Sequence, residues 1–344
     1  MTATDPIQLR PIDNASFGAC CVFDGAQGAK ATVLAAEHNR EALLDAFYGS
    51  GGLLLLEGME GIAEDPTLLL RFSRLFGPEV EDYRQTLRAR HSIHPDVPEI
   101  LLIAGKSAGA VKPPPRPDPP LTAEGKLPVQ FPHRRGWHTD QSFRRPPPDM
   151  SLFLAVVPSP RDQGQTLFAD GVAAYEALPV DLKALVEDLE GLHVMPGAGR
   201  AEQDVRAGKT PDVLQSHERP QRQPVVRHHP VTGKRALYLC EAGQMDWIEG
   251  PLVGYEPGPD GEGATLLYRL MHHFTGPDFT YAHHWNKGDL VIYDNRSLIH
   301  SATWYDVENH ERVMWRTTVH GNPGALYDGE AKSWIARPSG ASFL

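Results

Sequence analysis

Four consecutive leucines, 53–56, directly follow Gly49-Ser50-Gly51-Gly52 and read as a buried strand leaving a turn. Ahead of them Leu34, Ala35, Leu43, Leu44, Ala46 and Phe47 recur at loose helical spacing, which predicts a helix over 32–48 ended by those glycines. Asp65-Pro66 has the form of an N-cap with proline at the first helical position, and Leu68, Leu69, Phe72, Leu75 and Phe76 continue one face up to Gly77-Pro78. Apolar runs at 99–104 and 150–157 predict strands. Asp170 caps a helical stretch through Ala173, Leu178, Leu182, Leu185 and Leu189 that Pro179 splits in two. Residues 225–227 and 235–239 flank a turn with Pro230 and Gly233, a hairpin pattern. A helix over 263–274 turns Leu266, Leu267, Leu270 and Met271 inward. The last third alternates turns with short strands at 289–293, 301–304 and 312–319.

Two stretches break this patterning. Residues 112–120 hold six prolines, which can neither continue a helix nor donate to a ladder, and 197–223 is polar and arginine-rich. Both are expected as long loop insertions, at about 105–135 and 197–223. The first is either a plain linker or a lid, and it runs straight into the chemistry described below. No fixed-period repeat or clean composition break divides the chain, so one domain over 1–344 is expected, of the β-rich α+β class with flanking helices. The 31 prolines and 32 glycines agree, since they favour turns and strands over long helices.

Charge and cysteine content exclude several roles. A formal net charge of -11 argues against a nucleic-acid surface. The N-terminal residues lack a signal pattern and no apolar run reaches membrane-span length, so the expected location is cytoplasmic, without a membrane partner. Cys20, Cys21 and Cys240 are too few and badly spaced for a disulfide framework or a thiolate metal site. Whether the chain forms a homo-oligomer the sequence leaves open.

The candidate chemistry starts at Trp137-His138-Thr139-Asp140, where an imidazole and a carboxylate two residues apart project from one face of extended chain. His300 is the third candidate ligand. Two imidazoles and one carboxylate on one face leave positions open, the arrangement of non-haem Fe(II) oxygenases, whereas zinc more often settles into a closed four-coordinate site. A bidentate 2-oxoacid would need a remote cation. Arg312 and Arg316, four apart and so on one strand face, can supply it with their bidentate forks, and Thr166 offers a hydroxyl. The pairs His228-His229, His272-His273 and His283-His284 are set aside because adjacent strand residues point to opposite faces. Gln141, Arg134, Tyr83 and Trp247 are candidates for substrate contact by position.

These motifs resemble the Fe(II)/2-oxoglutarate-dependent dioxygenases of the taurine dioxygenase family. The resemblance rests on 137–140, on Gly-Gln-Thr-Leu-Phe-Ala-Asp-Gly at 164–171, on His-Pro-Val-Thr-Gly-Lys-Arg-Ala-Leu-Tyr at 229–238, and on Tyr-Asp-Asn-Arg-Ser-Leu-Ile-His at 293–300 with Arg312 and Arg316. It implies a double-stranded β-helix (jelly roll) core with His138, Asp140 and His300 as catalytic iron ligands. Thr166 and Arg312 would hold the distal carboxylate of 2-oxoglutarate, with Arg316 by its C1 carboxylate or by an anionic substrate group. The implied reaction uses Fe(II), 2-oxoglutarate and O2, releases succinate and CO2, and oxidises, most simply hydroxylates, an unactivated C–H bond of a small anionic or amino-acid-like molecule. Desaturation, epoxidation or ring formation would use the same cofactors, and a zinc-dependent hydrolase is the reading from another class, which gives Arg312 no role. The stretches 76–83 and 133–136 differ from those of taurine-binding members and point away from taurine itself.

Overall fold

The computed structural model describes residues 6–86, 92–105, 136–215, 218–241 and 243–334. The proline-rich tract and Arg134 lie outside the described residues. The chain begins with an antiparallel pair, β1 (Ile7–Pro11) and β2 (Ala19–Phe23), and β3 (Leu53–Leu56) then lies parallel to β2. Between β2 and β3 the predicted single helix is two, α1 (Gly28–His38) and α2 (Arg40–Gly49). Asn39 separates them: its φ and ψ of -119° and 35° are not helical, and its side-chain amide donates to Ala35 O at 2.8 Å, competing with the backbone ladder. Asp65 caps α3 (Thr67–Ser73) through the Thr67 N–H, and Leu75 and Phe76 follow in a tight turn that keeps them buried.

Next come β4 (Glu79–Val80), α4 (Tyr83–Thr86), β5 (Leu101–Ala104), β6 (Met150–Val157) and β7 (Thr166–Asp170). The Asp170 cap is as expected, accepting from Val172 N and Ala173 N, and Pro179 divides α5 (Gly171–Glu176) from α6 (Val180–Val186). The stretch 197–223 is not a plain surface loop. It holds α7 (Glu202–Arg206) and runs into β9 (Gln221–Pro224), which pairs with β8 (Glu190–His193). Its arginine content misled, because Arg200 is buried in an ion pair with Asp246 at 2.7 Å. The hairpin of β10 (Val226–His228) and β11 (Arg235–Leu237) and the helix α8 (Glu262–Phe274) follow as read. The chain then lays down β12 (Thr280–His283), β13 (Leu290–Asp294), β14 (Leu298–Ala302) and β15 (Val313–His320).

Two sheets position the site. The larger runs β1-β2-β3-β13-β6-β15-β4, with β5 also on β15; the smaller runs β12-β7-β14. They face each other across Phe153, Ala155, Phe168, Val291, Tyr293, Leu298 and Met314. The alternate residues Leu152, Leu154, Leu290, Ile292 and Trp315 point the other way, onto α1, α2 and α3. Both faces of β13 and β6 are therefore covered, which explains why 290–293 and 152–155 read as nearly continuous apolar runs rather than alternating ones. A third cluster packs α8 against α5, α6 and the hairpin.

Candidate active site

A two-residue bridge builds the centre. His138 N–H donates to His300 O at 2.9 Å, and His300 N–H donates back to His138 O at 2.7 Å, so backbone pairing sets the two imidazoles side by side with ring centroids 4.3 Å apart. His300 comes from β14 and His138 from the segment that enters beside it. Asp140, two residues on, turns its carboxylate to the same point. One ligand atom from each of the three lies within 4.8 Å of the others.

Each ligand is held in a defined pose. His138 Nδ1 meets Gly136 O at 2.7 Å, which places the ring proton there and leaves the Nε2 lone pair for a metal. Gly136, at φ 99°, has the left-handed backbone that lets this carbonyl turn back. Asp140 Oδ2 accepts from Ser151 Oγ at 2.7 Å and Tyr293 OH at 2.8 Å, a directly opposed cross-strand pair of β6 and β13. Oδ1 faces inward, 3.8 Å from His300 Nε2, and accepts a charge-assisted bond from Arg316. Asn295 ties these parts together, accepting from Thr139 Oγ1 and Asp140 N and donating to Ser151 Oγ.

The electrostatics suit a cation. Burial lowers the His138 imidazole, and burial together with His138 takes His300 down to about 3, so both rings are neutral and can donate lone pairs at neutral pH. Burial by itself would raise Asp140, but Arg316 and the two imidazoles outweigh it and hold the carboxyl well below its usual range. The donor set is thus two neutral imidazoles and one carboxylate, matched to a divalent metal with open positions.

Beside the ligands is a cavity of about 280 Å³ with walls from Leu101, Ile103, Phe153 and Tyr305. His138, His300, Thr166, Arg312 and Arg316 also line it. Arg316 lies on β15 and Arg312 immediately before it, next to a register irregularity at Val313/Met314, and both line the same cavity. Arg312 makes no ion pair with a described residue: its Nε is buried without a partner, its guanidinium lies 5.9 Å from the Phe153 and Tyr305 ring centroids, and burial lowers it to about 10. Glu308, Glu311 and Asp306, the alternative partners suggested by proximity in sequence, do not hold either arginine. A larger open cleft of about 760 Å³, lined by Asp13, Glu57 and Asp162, contains none of these ligands.

The substrate candidates fare unevenly. Gln141 is adjacent to Asp140 with a left-handed φ of 50°; its Nε2 donates to Glu81 at 2.8 Å while its buried Oε1 has no partner among the described residues. Tyr83 does not line the cavity. It is fully buried, with its OH 2.7 Å from Thr318 Oγ1. Trp247 is corrected outright: it stacks on Tyr268 at 5.6 Å inside the cluster around α8, because apolar packing there, rather than nearness to a ligand, fixes it. Sequence reasoning missed the supporting roles of Ser151, Tyr293, Asn295 and Glu81. The only local signal at Ser151 and Tyr293 is a polar group in an otherwise apolar strand, and Asn295 is one of four polar residues in a turn. Glu81 is buried against Arg144 at 2.8 Å, and burial is outweighed by Arg144 and His320 in holding its carboxyl low.

Comparisons with known proteins give the chain its relatives. The family model "Taurine catabolism dioxygenase TauD, TfdA family" matches residues 8–318. The alpha-ketoglutarate-dependent 2,4-dichlorophenoxyacetate dioxygenase of Cupriavidus pinatubonensis is 34% identical over 183 residues, covering 53% of this chain and 59% of that protein. The (S)-phenoxypropionate/alpha-ketoglutarate-dioxygenase of Sphingobium herbicidovorans is 34% identical over 194 residues, covering 55% and 63%. The matched segment thus spans about three fifths of the length of these curated relatives. A solved structure of AAD-2 in complex with Mn(II) and N-oxalylglycine superposes with a TM-score of 0.63 at 25% identity, covering 92% of this chain and 97% of that one. With the family model extending across nearly all of the two-sheet core and its ligand triad, this chain belongs to the Taurine catabolism dioxygenase TauD, TfdA family.

Proposed function

We propose that the chain is an Fe(II)- and 2-oxoglutarate-dependent dioxygenase that hydroxylates an unactivated C–H bond of a small anionic organic substrate, releasing succinate and CO2. The observation that carries this reading is the pairing of a His138-Asp140-His300 triad with a buried Arg312, which has no ion-pair partner among the described residues, on the same cavity. A hydrolytic zinc site would leave that guanidinium without purpose, and an uncompensated buried charge is expensive. The relatives named for 2,4-dichlorophenoxyacetate and (S)-phenoxypropionate support an anionic substrate. The two facing sheets are, in this reading, the double-stranded β-helix (jelly roll) of the family. Three buried free cysteines suit a cytoplasmic setting.

When bound, the iron would use O2 and the oxoacid to generate the oxidant for the C–H bond. The chain's own contribution is positioning. Ser151 and Tyr293 fix Asp140, and the Gly136 carbonyl fixes His138. Arg312 and Thr166 hold the distal carboxylate, and Arg316 attends the carboxylate nearer the metal. Phe153, Tyr305, Leu101 and Ile103 keep water from the oxoacid stem. Gln141 is held beside Asp140 by Glu81 rather than on the wall of the cavity, so its part in this reading is to support the Asp140 loop.

Anaerobic addition of Fe(II) and 2-oxoglutarate should produce the weak visible charge-transfer band of a chelated oxoacid. The band should vanish in His300→Ala and weaken strongly in Arg312→Ala. Absence of any band with the unmodified protein would refute the assignment.

A further inference from the structure

Thr166 has a partner that no family motif singled out. The Trp285 indole N–H donates to Thr166 Oγ1 at 3.0 Å. An indole nitrogen only donates, so the hydroxyl acts as acceptor in this bond and its own proton must point elsewhere. No described residue accepts that proton, and Thr166 lines the cavity together with Arg312.

The indole is itself firmly held. Trp285 is buried between two rings set perpendicular to it, Phe153 at 5.2 Å and 89° and His283 at 4.4 Å and 88°. Edge-to-face packing of this kind fixes the tilt of the indole and hence the direction of its N–H. His283 is anchored in turn through its Nδ1, 2.8 Å from Tyr281 OH. The register of β12 on β7 sets His283 opposite Thr166, which delivers Trp285 just beyond the pair.

We propose that Trp285 is a positioning residue for the distal carboxylate of 2-oxoglutarate: by occupying the acceptor side of the Thr166 hydroxyl, it turns that proton into the cavity toward the carboxylate that Arg312 faces. The inference rests on the oxoacid reading above. Without the indole N–H the hydroxyl rotates freely, and an oriented donor becomes one of several rotamers.

The test is an anaerobic titration of the Fe(II)-loaded protein, followed by the visible band, with 2-oxoglutarate and with 2-oxopentanoate, which has the same chain length but no distal carboxylate. Trp285→Phe should weaken 2-oxoglutarate by roughly threefold to tenfold, the worth of one oriented hydrogen bond, and leave 2-oxopentanoate within about twofold. In a Thr166→Val background the Trp285→Phe change should add nothing, because there is no hydroxyl left to orient. In turnover, KM for 2-oxoglutarate should rise by the same factor while kcat moves less. The ratio of the two affinities is internal to each preparation, so a loss of folded protein does not imitate it. An equal loss for both oxoacids, or a loss that persists with Thr166→Val, would make Trp285 merely structural and overturn the proposal. If the unmodified protein titrates and Trp285→Phe matches it, the role of Trp285 fails alone; if the unmodified protein shows no band with either oxoacid, the oxoacid reading fails and this inference with it.

Discussion

Arg312→Leu should make the metal-free, oxoacid-free protein more stable while removing its ability to be stabilised by 2-oxoglutarate. Arg312 is buried without an anionic partner among the described residues, and burial lowers its guanidinium to about 10. Moving a guanidinium down from its ordinary value by that much corresponds to roughly 3 kcal/mol of destabilisation, at about 1.4 kcal/mol for each tenfold change. This penalty belongs to the charged form. It is carried in full while Arg312 is protonated in both folded and unfolded chains, below about pH 10, and fades only as pH rises through that value, so at neutral pH all of it is present. Leucine keeps apolar contact with Phe153 and Tyr305 and removes the charge. Water in the cavity trims the gain to about 1–3 kcal/mol, or about 1–4 °C in melting temperature for a chain of this length. With Fe(II) present throughout and 2-oxoglutarate then added at a hundred times its dissociation constant, the unmodified protein should gain about 2.7 kcal/mol from the oxoacid, whereas the variant should gain little from it. Urea unfolding and melting curves with and without the ligands read both halves. A variant less stable than the parent without ligand would show that Arg312 has a partner or packing role that outweighs its desolvation, and the argument for an empty anchor would collapse.

Two further outcomes follow from the same geometry. Mn(II) affinity measured by electron paramagnetic resonance should stay flat as pH falls from neutral past 6.5, because burial depresses both imidazoles and takes His300 to about 3; a tenfold loss per pH unit beginning at 6.5 would contradict that. Gly52→Ala should cost about 1–3 kcal/mol in urea unfolding, since Gly52 has φ 78° and a Cβ there would sit 2.8 Å from Asp294 Cβ; an unchanged midpoint would refute the strain.

What the sequence disclosed depended on how local the cause was. Alternation and capping are local, so 53–56, 150–157, the Asp170 cap and α8 were legible as elements. The His138-Asp140 spacing was legible for the same reason, because two residues on extended chain share a face whatever the rest of the fold does. Asn39 breaking a helix was harder, since the break is a single residue with non-helical φ and ψ whose side-chain amide shares the Ala35 carbonyl with its own backbone N–H, within an otherwise helical pattern. The supports were not legible at all. Tyr293 reaches Asp140 across 153 positions, Trp285 reaches Thr166 across 119, and Gln141 reaches Glu81 across 60. Only sheet register brings such residues together, and nothing near them in the chain encodes it. Trp247 shows the converse error: a residue taken by position as a candidate for substrate contact is core packing around α8.

Charge explains why a metal and a dicarboxylate belong to this site as a pair. Among the described residues Asp140 is matched by Arg316, and Arg312 remains as an unmatched cation on the same cavity. A divalent cation by itself would add two positive charges beside Arg316 and compete with it for Asp140 Oδ1. A dicarboxylate by itself would add two negative charges where only one guanidinium is uncommitted. Added together they leave the local charge where it began, and each carboxylate faces a cation. Each ligand should therefore bind more tightly in the presence of the other, and the coupling is the same whichever is added first. Arg316 is central to that coupling. Arg316 keeps Asp140 ionised and oriented in a buried site; a metal sharing that carboxylate would reduce the compensation of the guanidinium, and a carboxylate of the oxoacid would restore it. The Arg316–Asp140 ion pair thus predicts that a metal binds less tightly alone than together with its oxoacid, which paired titrations of the two would read.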